Sequence, residues 1–223
     1  MVYVAGMERP KSNAALLYPA DVDDALRVRL AALCSEGWAL FDRFDLEVRT
    51  RGFHPFVAAD YDAVLAALVA QRGPNLRFLE WGSATGVITI MAEMLGFEAY
   101  GIELDASLVT IARDLAERFD SRARFVAGSF LPTGYRWQPG DGDGRTGTVG
   151  TGTSGYLQLG LPLDEFDVVY GYPWDGEAAM MLDIMARYGR PDALLLLNSV
   201  TEGIRLIRGG RDVTPARQDA RVT

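Results

Sequence analysis

The chain has 223 residues, of which 49% are hydrophobic and 23% are charged. These proportions are typical of one globular domain of ordinary to large size, and they exclude an intrinsically disordered chain. The formal net charge of −8 argues against a duplex-binding protein, which would carry a basic stripe, so we do not expect a nucleic-acid partner.

Three further features indicate the compartment. The longest apolar run, residues 63–70, is far too short to span a bilayer. Residues 1–19 lack the basic-then-apolar pattern of a signal peptide. A single cysteine, Cys34, excludes an intrachain disulfide. We therefore expect a cytoplasmic protein with no membrane partner, whose oligomeric state the sequence leaves open.

Residues 1–74 are predicted to form a mainly helical N-terminal cap. The predicted elements are an irregular segment over 1–20, a helix over 21–37, a second helix or short strand over 38–50, a turn over 51–56 and a helix over 60–72. Asp21 or Asp23 is suited to cap the first helix, and Gly37 is suited to end it.

The stretch 76–95, LRFLEWGSATGVITIMAEML, predicts a strand, a turn of small residues and a helix. Its first residues form a short apolar run, which is typical of a strand buried in a parallel sheet. From Val87 onward, apolar residues recur at helical spacing. A strand that turns directly into a helix presents free backbone N–H groups and positive partial charge, which suits a nucleotide-type ligand.

Strands and helices alternate after this stretch. The predicted strands are 98–102, 123–127, 166–170 and 193–198, with 203–208 as a sixth strand, and the predicted helices are 106–119 and 177–188. This alternation predicts an α/β fold with a doubly wound, mainly parallel sheet over residues 75–223. No clear helix is predicted between the third and fourth strands.

The segment 139–155 interrupts the pattern. Seven of its seventeen residues are glycine, and it has no hydrophobic face to order it. We predict a flexible glycine-rich insert in a surface loop; the alternative is a mobile lid over a substrate.

The turn does not match the dinucleotide fingerprint G-x-G-x-x-G. Counted from Gly82, the second glycine position is Ala84 and the third is Val87. A valine where the helix would meet a pyrophosphate favours a ligand without one. A Rossmann-type dinucleotide or nucleotide-sugar enzyme is therefore the third of our hypotheses.

The pattern Glu80-x-Gly82-x-Ala84-x-Gly86 resembles the first motif of the class I, S-adenosylmethionine-dependent methyltransferases, with Ala84 in place of the middle glycine. This resemblance implies a Rossmann-like sheet of order 3-2-1-4-5 with edge strands, and S-adenosylmethionine as cofactor. It implies that the turn, including Ser83, passes under the methionine part of the cofactor. Glu80 would face the cofactor's ammonium group.

Two later segments extend the resemblance. Glu103 ends the second predicted strand, where family members use an acid to bind the ribose hydroxyls, and Leu104 would lie against the adenine. Ser129 stands where the family often has an acid for the adenine amino group. Phe130 would pack on the adenine or belong to the core.

The acceptor side departs from the family pattern. Amino-group methyltransferases carry an Asn- or Asp-Pro-Pro-aromatic motif after the fourth strand, whereas this chain has Gly171 followed by Tyr172, Pro173 and Trp174. We expect these last three residues to bind the substrate, with Tyr172 either orienting a nucleophile or closing the pocket. His54, the single histidine, is a candidate general base or a turn residue.

The resemblance implies a methyltransferase that acts on a small molecule or a protein. No metal site is predicted. The alternative is an S-adenosylmethionine-binding regulatory protein without transfer activity, which the altered fourth motif and the short C-terminal end favour. The family usually closes its sheet with a sixth and an antiparallel seventh strand, and we do not expect a full hairpin from the residues that follow position 208.

Overall fold

The computed structural model describes residues 22–48, 56–138, 152–174 and 176–215. Its helices are α1 (Asp24–Glu47), α2 (Tyr61–Ala70), α3 (Val87–Met94), α4 (Ala106–Arg118), α5 (Gly155–Leu159) and α6 (Glu177–Tyr188), with a 3-10 helix at Leu163–Glu165. Its strands are β1 (Arg77–Trp81), β2 (Glu98–Glu103), β3 (Arg124–Ala127), β4 (Val168–Gly171), β5 (Leu194–Ser199), β6 (Gly203–Arg208) and β7 (Arg211–Asp212). Predictions for residues 1–21, for His54 and for 139–151 lie outside the described residues.

The strands form one sheet of order β3-β2-β1-β4-β5-β6-β7. Strands β1 to β5 are parallel, and β6 runs antiparallel to β5. The predicted α/β class and the predicted 3-2-1-4-5 order with edge strands are confirmed. The closing hairpin is short: Gly209 and Gly210 both take positive φ and turn β6 into β7, which has only two residues, each paired with β6.

Alternating side chains of each strand supply two cores on opposite faces of the sheet. Phe78 packs on one face with apolar residues of α1, α2, α3 and α4. Its neighbour Leu79 packs on the other face with α5, the 3-10 helix and α6. The N-terminal helices therefore share a core with the sheet; a domain boundary near residue 74 stays a prediction. None of the helices in the described ranges is long and apolar enough to cross a membrane.

Helix α1 corrects the predicted N-terminal organisation. One helix, Asp24–Glu47, continues from the first predicted element (21–37) into the second (38–50), with Asp23 as its cap. Gly37 does not end it. A Cβ at position 37 would lie 2.8 Å from Val87 Cγ2 and 3.0 Å from the Tyr61 ring, so this glycine lets α1 approach α3 and α2 closely. A contact of this kind leaves no local signature in the sequence.

The link between β3 and β4 also differs from the prediction, because it contains α5 and the 3-10 helix. The end of the predicted insert is part of this structure. Ser129 N donates to Thr153 O at 2.9 Å, and Gly155 N donates to Ser129 O at 2.8 Å. A Cβ at Gly155 would lie 2.7 Å from Ile102 Cγ2. Glycine at position 155 thus serves close packing, which composition alone does not distinguish from flexibility.

Candidate functional site

The candidate site lies at the carboxyl ends of the parallel strands, where β1 pairs with β2 on one side and with β4 on the other. The chain winds outward in opposite directions from this point. Open α/β sheets bind their ligands in the crevice that such a reversal creates. The predicted glycine turn, which follows β1, lies at this crevice.

Hydrogen bonds to the neighbouring strand fix the turn. Gly82 N and Ser83 N both donate to Ile102 O, at 2.9 and 3.0 Å, and Gly86 N donates to Ser83 O at 2.7 Å. Gly82, Ala84 and Gly86 have φ values of 70°, 44° and 81°. Ala84 therefore adopts a left-handed conformation that glycine takes more easily, at a cost of about 1 kcal/mol.

The two glycines of the turn have different surroundings. Gly82 is exposed, and a Cβ there would meet no atom within 4 Å. Gly86 is buried, and a Cβ there would lie 2.7 Å from the Phe125 ring and 2.8 Å from Ala112 Cβ. Gly82 thus keeps the crevice side of the turn open, whereas Gly86 lets the turn pack on α4 and β3.

Glu103 connects the end of β2 to this turn. One carboxylate oxygen accepts from Ala84 N and the other from Asp105 N, both at 2.9 Å. The side chain is half-buried, and burial raises the pKa of its carboxyl group. A carboxylate oxygen has more than one acceptor site, so Glu103 stays able to accept hydroxyl protons from a ligand.

Glu80 lies deeper than the prediction implied. It is 4% exposed, and one of its oxygens accepts from Thr89 N at 2.9 Å and from Thr89 Oγ1 at 2.5 Å. Burial raises the pKa of Glu80 to about 8, although both Thr89 hydrogen bonds oppose the rise; the charge of Glu103 adds to it. Glu80 therefore couples β1 to α3, and its predicted contact with a cofactor ammonium stays a prediction.

The buried carboxyl of Glu80 predicts a pH-dependent stability. Its pKa is about 8 in the folded protein, whereas the ordinary value, which applies to the unfolded chain, is 4.5. Between these two pH values the folded protein retains a proton that the unfolded chain has lost. The stabilisation is complete below pH 4.5 and is lost as the pH rises towards 8. Glu80→Gln removes this titration, so the change in the free energy of unfolding with pH should become smaller by about 2 kcal/mol or more. Each pKa unit of difference corresponds to about 1.4 kcal/mol.

Urea unfolding at pH 5, 6.5 and 8 measures this difference. Glu117→Gln, on the exposed side of α4, is the matched control and should follow the wild-type profile. If Glu80→Gln also followed it, Glu80 would be ionised in the folded protein.

Three other predicted cofactor residues are buried. The Ser83 side chain lies against Gly101 of β2, and its hydroxyl has no hydrogen-bond partner within the described part of the chain. Ser129 Oγ accepts from Leu131 N at 3.2 Å. Phe130 stacks on Trp81, with ring centroids 5.4 Å apart. Ser83 is therefore enclosed between the turn and β2, with its N–H and carbonyl both bonded within the protein, and the exposed areas of Ser129 and Phe130 are small.

Packing accounts for the departure of the segment after β4 from the family motif. A Cβ at Gly171 would lie 2.8 Å from Met181 Sδ and 3.4 Å from Trp81 Cε3. An asparagine or aspartate at this position would force the Met181 side chain to shift. Glycine at position 171 thus lets α6 pack closely on the sheet, and the oxygen that holds an acceptor nitrogen in the family motif is absent.

The three residues that follow Gly171 are half-buried at the same end of the sheet. Burial raises the pKa of Tyr172, and the negative charge of nearby Asp60, the cap of α2, raises it further. Trp174 N donates to Glu177 Oε2 at 2.9 Å. The N-terminal helices and this segment thus meet at Tyr172.

The structure divides the predicted site residues by accessibility. The partly or fully exposed ones are Gly82, Ala84, Glu103, Leu104, Tyr172, Pro173 and Trp174, and the buried ones are Glu80, Ser83, Gly86, Ser129 and Phe130. Sequence reasoning missed Thr89 and Glu177, the partners of Glu80 and Trp174. Glu177 had a local signal, an acid at the start of a predicted helix, whereas nothing in the sequence connects Thr89 to Glu80.

A cavity of about 530 Å³ lies away from these residues, beside α5 and the end of α6. Its lining includes Tyr156, Leu157 and Arg187, and none of the predicted site residues belongs to it. The strand reversal and the open face of Gly82 coincide at the glycine turn, which is therefore the candidate site.

No protein-family model matches the chain. The ribosomal protein L11 methyltransferase of Thermus thermophilus is 37% identical over 73 residues, which are 31% of this chain and 29% of that protein. The chain thus spans less than a third of the curated relative that it matches.

Similar solved structures include precorrin-6y C5,15-methyltransferase of Geobacter metallireducens, at 17% identity and a TM-score of 0.44 over 66% of each chain. An RNA methyltransferase of Salinibacter ruber, in complex with S-adenosyl-L-homocysteine, has 19% identity and a TM-score of 0.44 over 69% of this chain and 80% of that one. The order and direction of the strands and the turn after β1 give this chain the Rossmann-like fold of the class I methyltransferases.

Proposed function

We propose that this protein is an S-adenosylmethionine-dependent methyltransferase. One observation carries the proposal: the Glu103 carboxylate, at the end of β2, accepts the Ala84 N–H of the glycine turn at the end of β1. Acid and turn are therefore joined at the strand reversal, where nucleotide-type ligands bind in this architecture.

The residues present fit this cofactor. The turn is open above Gly82, as a ligand that crosses the backbone requires. Glu103 retains acceptor sites for the ribose hydroxyls, and the partly exposed Leu104 offers an apolar surface to the adenine. The N-terminus of α3 adds positive partial charge that suits the methionine carboxylate. When bound, the cofactor supplies an electrophilic methyl group on a sulfonium.

The protein's own contribution to the transfer is mainly positioning. Transfer in line with the sulfonium needs an acceptor atom held at short range, and orientation alone supplies a large share of such an acceleration. Tyr172, half-buried beyond β4, is the residue that we propose to contact the acceptor. Its hydroxyl is protonated at neutral pH, as that of an ordinary tyrosine is, and orients the acceptor as a hydrogen-bonding group.

We propose a small-molecule or protein acceptor and a cytoplasmic location. The acidic composition supports such an acceptor over RNA. The relative that shares a segment with this chain is named a ribosomal protein L11 methyltransferase, which supports a protein acceptor. RNA methyltransferases are among the structurally similar proteins, so RNA belongs in the assay panel.

Isothermal calorimetry with S-adenosylhomocysteine tests cofactor binding directly. We expect one site per chain with a dissociation constant of about 100 μM or lower, which corresponds to about −5.5 kcal/mol. No heat of binding from a folded protein at millimolar ligand would refute the proposal. Tight binding of NAD in its place would establish the dinucleotide hypothesis.

The packing at Gly171 favours a second candidate, a regulatory protein that binds the cofactor without transferring its methyl group. The family's acceptor-holding side chain cannot be restored there without displacing Met181. This candidate predicts cofactor binding but no turnover with small amines, ribosomal protein L11 or RNA. Transfer of a radioactive methyl group to any of these acceptors would exclude it.

A further inference from the structure

The segment that joins β4 to α6 ends at a buried carboxylate. Glu177, the first residue of α6, is only 2% exposed. A glutamate at a helix N-terminus is ordinarily exposed, and it complements the helix dipole from there. Burial of a carboxylate is costly unless hydrogen bonds compensate it, so the position of Glu177 requires a partner.

That partner is the main chain of Trp174. Glu177 Oε2 accepts from Trp174 N, and Glu177 N donates to Trp174 O, both at 2.9 Å. Gly176, with φ of +91°, lets the chain close this ring. Both polar groups of Trp174's main chain are thereby fixed relative to the first turn of α6.

The fixed residue lies next to the proposed acceptor side of the crevice. Trp174 is two residues beyond Tyr172, and Pro173 between them restricts the backbone. Tyr172 in turn packs against the core that includes α2 and α3. The segment 172–174 is thus held by packing at its start and by Glu177 at its end.

We propose that Glu177 is a positioning residue, which sets the backbone of 172–174 as the wall of the acceptor site. The proposal rests on the proposed function for the identity of that site. Glu177 is too buried to contact an acceptor, so its effect passes through the main chain of Trp174. Because Glu177 contacts the wall and not the glycine turn, its loss should leave the affinity for the cofactor unchanged.

Two variants separate this role from a general effect on folding. Glu177→Gln keeps an oxygen that accepts from Trp174 N, whereas Glu177→Ala removes it. Glu117→Ala is the control, because Glu117 lies on the exposed side of α4, away from both the glycine turn and the segment 172–174. Hydrogen exchange of the Tyr172 and Trp174 amides is measured in each variant, and calorimetry gives its affinity for S-adenosylhomocysteine. Acrylamide quenching reports the accessibility of Trp174, whose fluorescence is obtained by subtracting the signal of the same protein with Trp174→Phe.

We expect Glu177→Ala to accelerate exchange of the Trp174 amide at least tenfold and to raise the quenching constant at least twofold. Glu177→Gln should restore both, and the dissociation constant for S-adenosylhomocysteine should stay within twofold of wild type throughout. With an acceptor that wild type methylates, Glu177→Ala should lower kcat/KM at least tenfold, with a fall in kcat because the acceptor is no longer held in line, and Glu177→Gln should restore it.

Unchanged exchange in Glu177→Ala, failure of glutamine to rescue, or a parallel fall in cofactor affinity would each overturn the proposal. The exchange measurement needs no cofactor. Failure of wild type to bind S-adenosylhomocysteine would therefore refute the proposed function while the role of Glu177 in fixing the segment is judged separately.

Discussion

Replacing Gly86 with alanine should lower the free energy of unfolding by about 3 kcal/mol. The left-handed backbone at φ of 81° costs an L-residue about 1–2 kcal/mol. Overpacking adds about 1–3 kcal/mol, and reduced freedom of the unfolded chain returns about 0.4–1 kcal/mol. The clash resists relief, because the new methyl group would lie 2.8 Å from Ala112 Cβ, which is fixed to the α4 backbone.

Gly82→Ala is the matched control. Gly82 has φ of 70°, close to that of Gly86, but a methyl group added to it would have no atom within 4 Å. Only the backbone cost applies, so we expect a loss of about 1 kcal/mol. Urea unfolding of both variants isolates the packing contribution by difference, and equal losses would mean that the turn does not pack on α4 as described.

For ligand binding, unlike stability, we expect the substitution at position 82 to have the larger effect. A side chain at position 82 projects into the open crevice, so Gly82→Val should abolish binding of S-adenosylhomocysteine while the protein stays folded. Retained binding in Gly82→Val would place the ligand elsewhere.

Glu103→Ala should weaken the binding of S-adenosylhomocysteine about 30-fold or more, which corresponds to about 2 kcal/mol for hydrogen bonds to a charged group. The expected loss has two sources. Proposed acceptors for the ribose hydroxyls disappear, and Ala84 N loses the carboxylate that holds the turn. Calorimetry at pH 7 measures the change.

Glu103→Gln separates the two sources, because its amide oxygen is able to accept from Ala84 N but the negative charge is gone. We expect an intermediate loss of about tenfold, or about 1.4 kcal/mol. Glu117→Ala on α4 controls for charge and should bind as wild type does. Unchanged affinity in Glu103→Ala would remove Glu103 from the cofactor site.

The spacing of apolar residues and the residue types in the turns were sufficient to predict the helices and strands around the site. The apolar spacing of 177–188 predicted α6 with its observed bounds, and the run 203–208 predicted β6. Strands and helices of this kind are dictated by local side-chain patterns, which a sequence displays. The position of Glu103 at the end of a strand followed from the same patterns, because parallel strands bring their carboxyl ends to one edge.

Glycines were the point at which sequence reasoning failed. Gly37 signalled a helix end and Gly155 a flexible insert, yet both serve close contacts with distant residues, Val87 and Ile102. A glycine that turns the chain and one that makes room for a neighbour are identical in sequence. Their roles depend on what lies within about 4 Å in the folded chain, the range of van der Waals contact.

The sequence by itself determined the α/β class and the acid–turn–acid arrangement around Gly82, whereas the order of the central strands was implied by the resemblance to the class I methyltransferases. The tertiary structure alone decided which of those residues face the crevice. Glu80 and Glu103 are both strand-end acids, but Glu80 is buried against Thr89 and Glu103 stays half-exposed beside the turn. The difference arises because burial and hydrogen-bond partners come from residues distant in sequence, whereas strand and turn formation depends on residues close to one another.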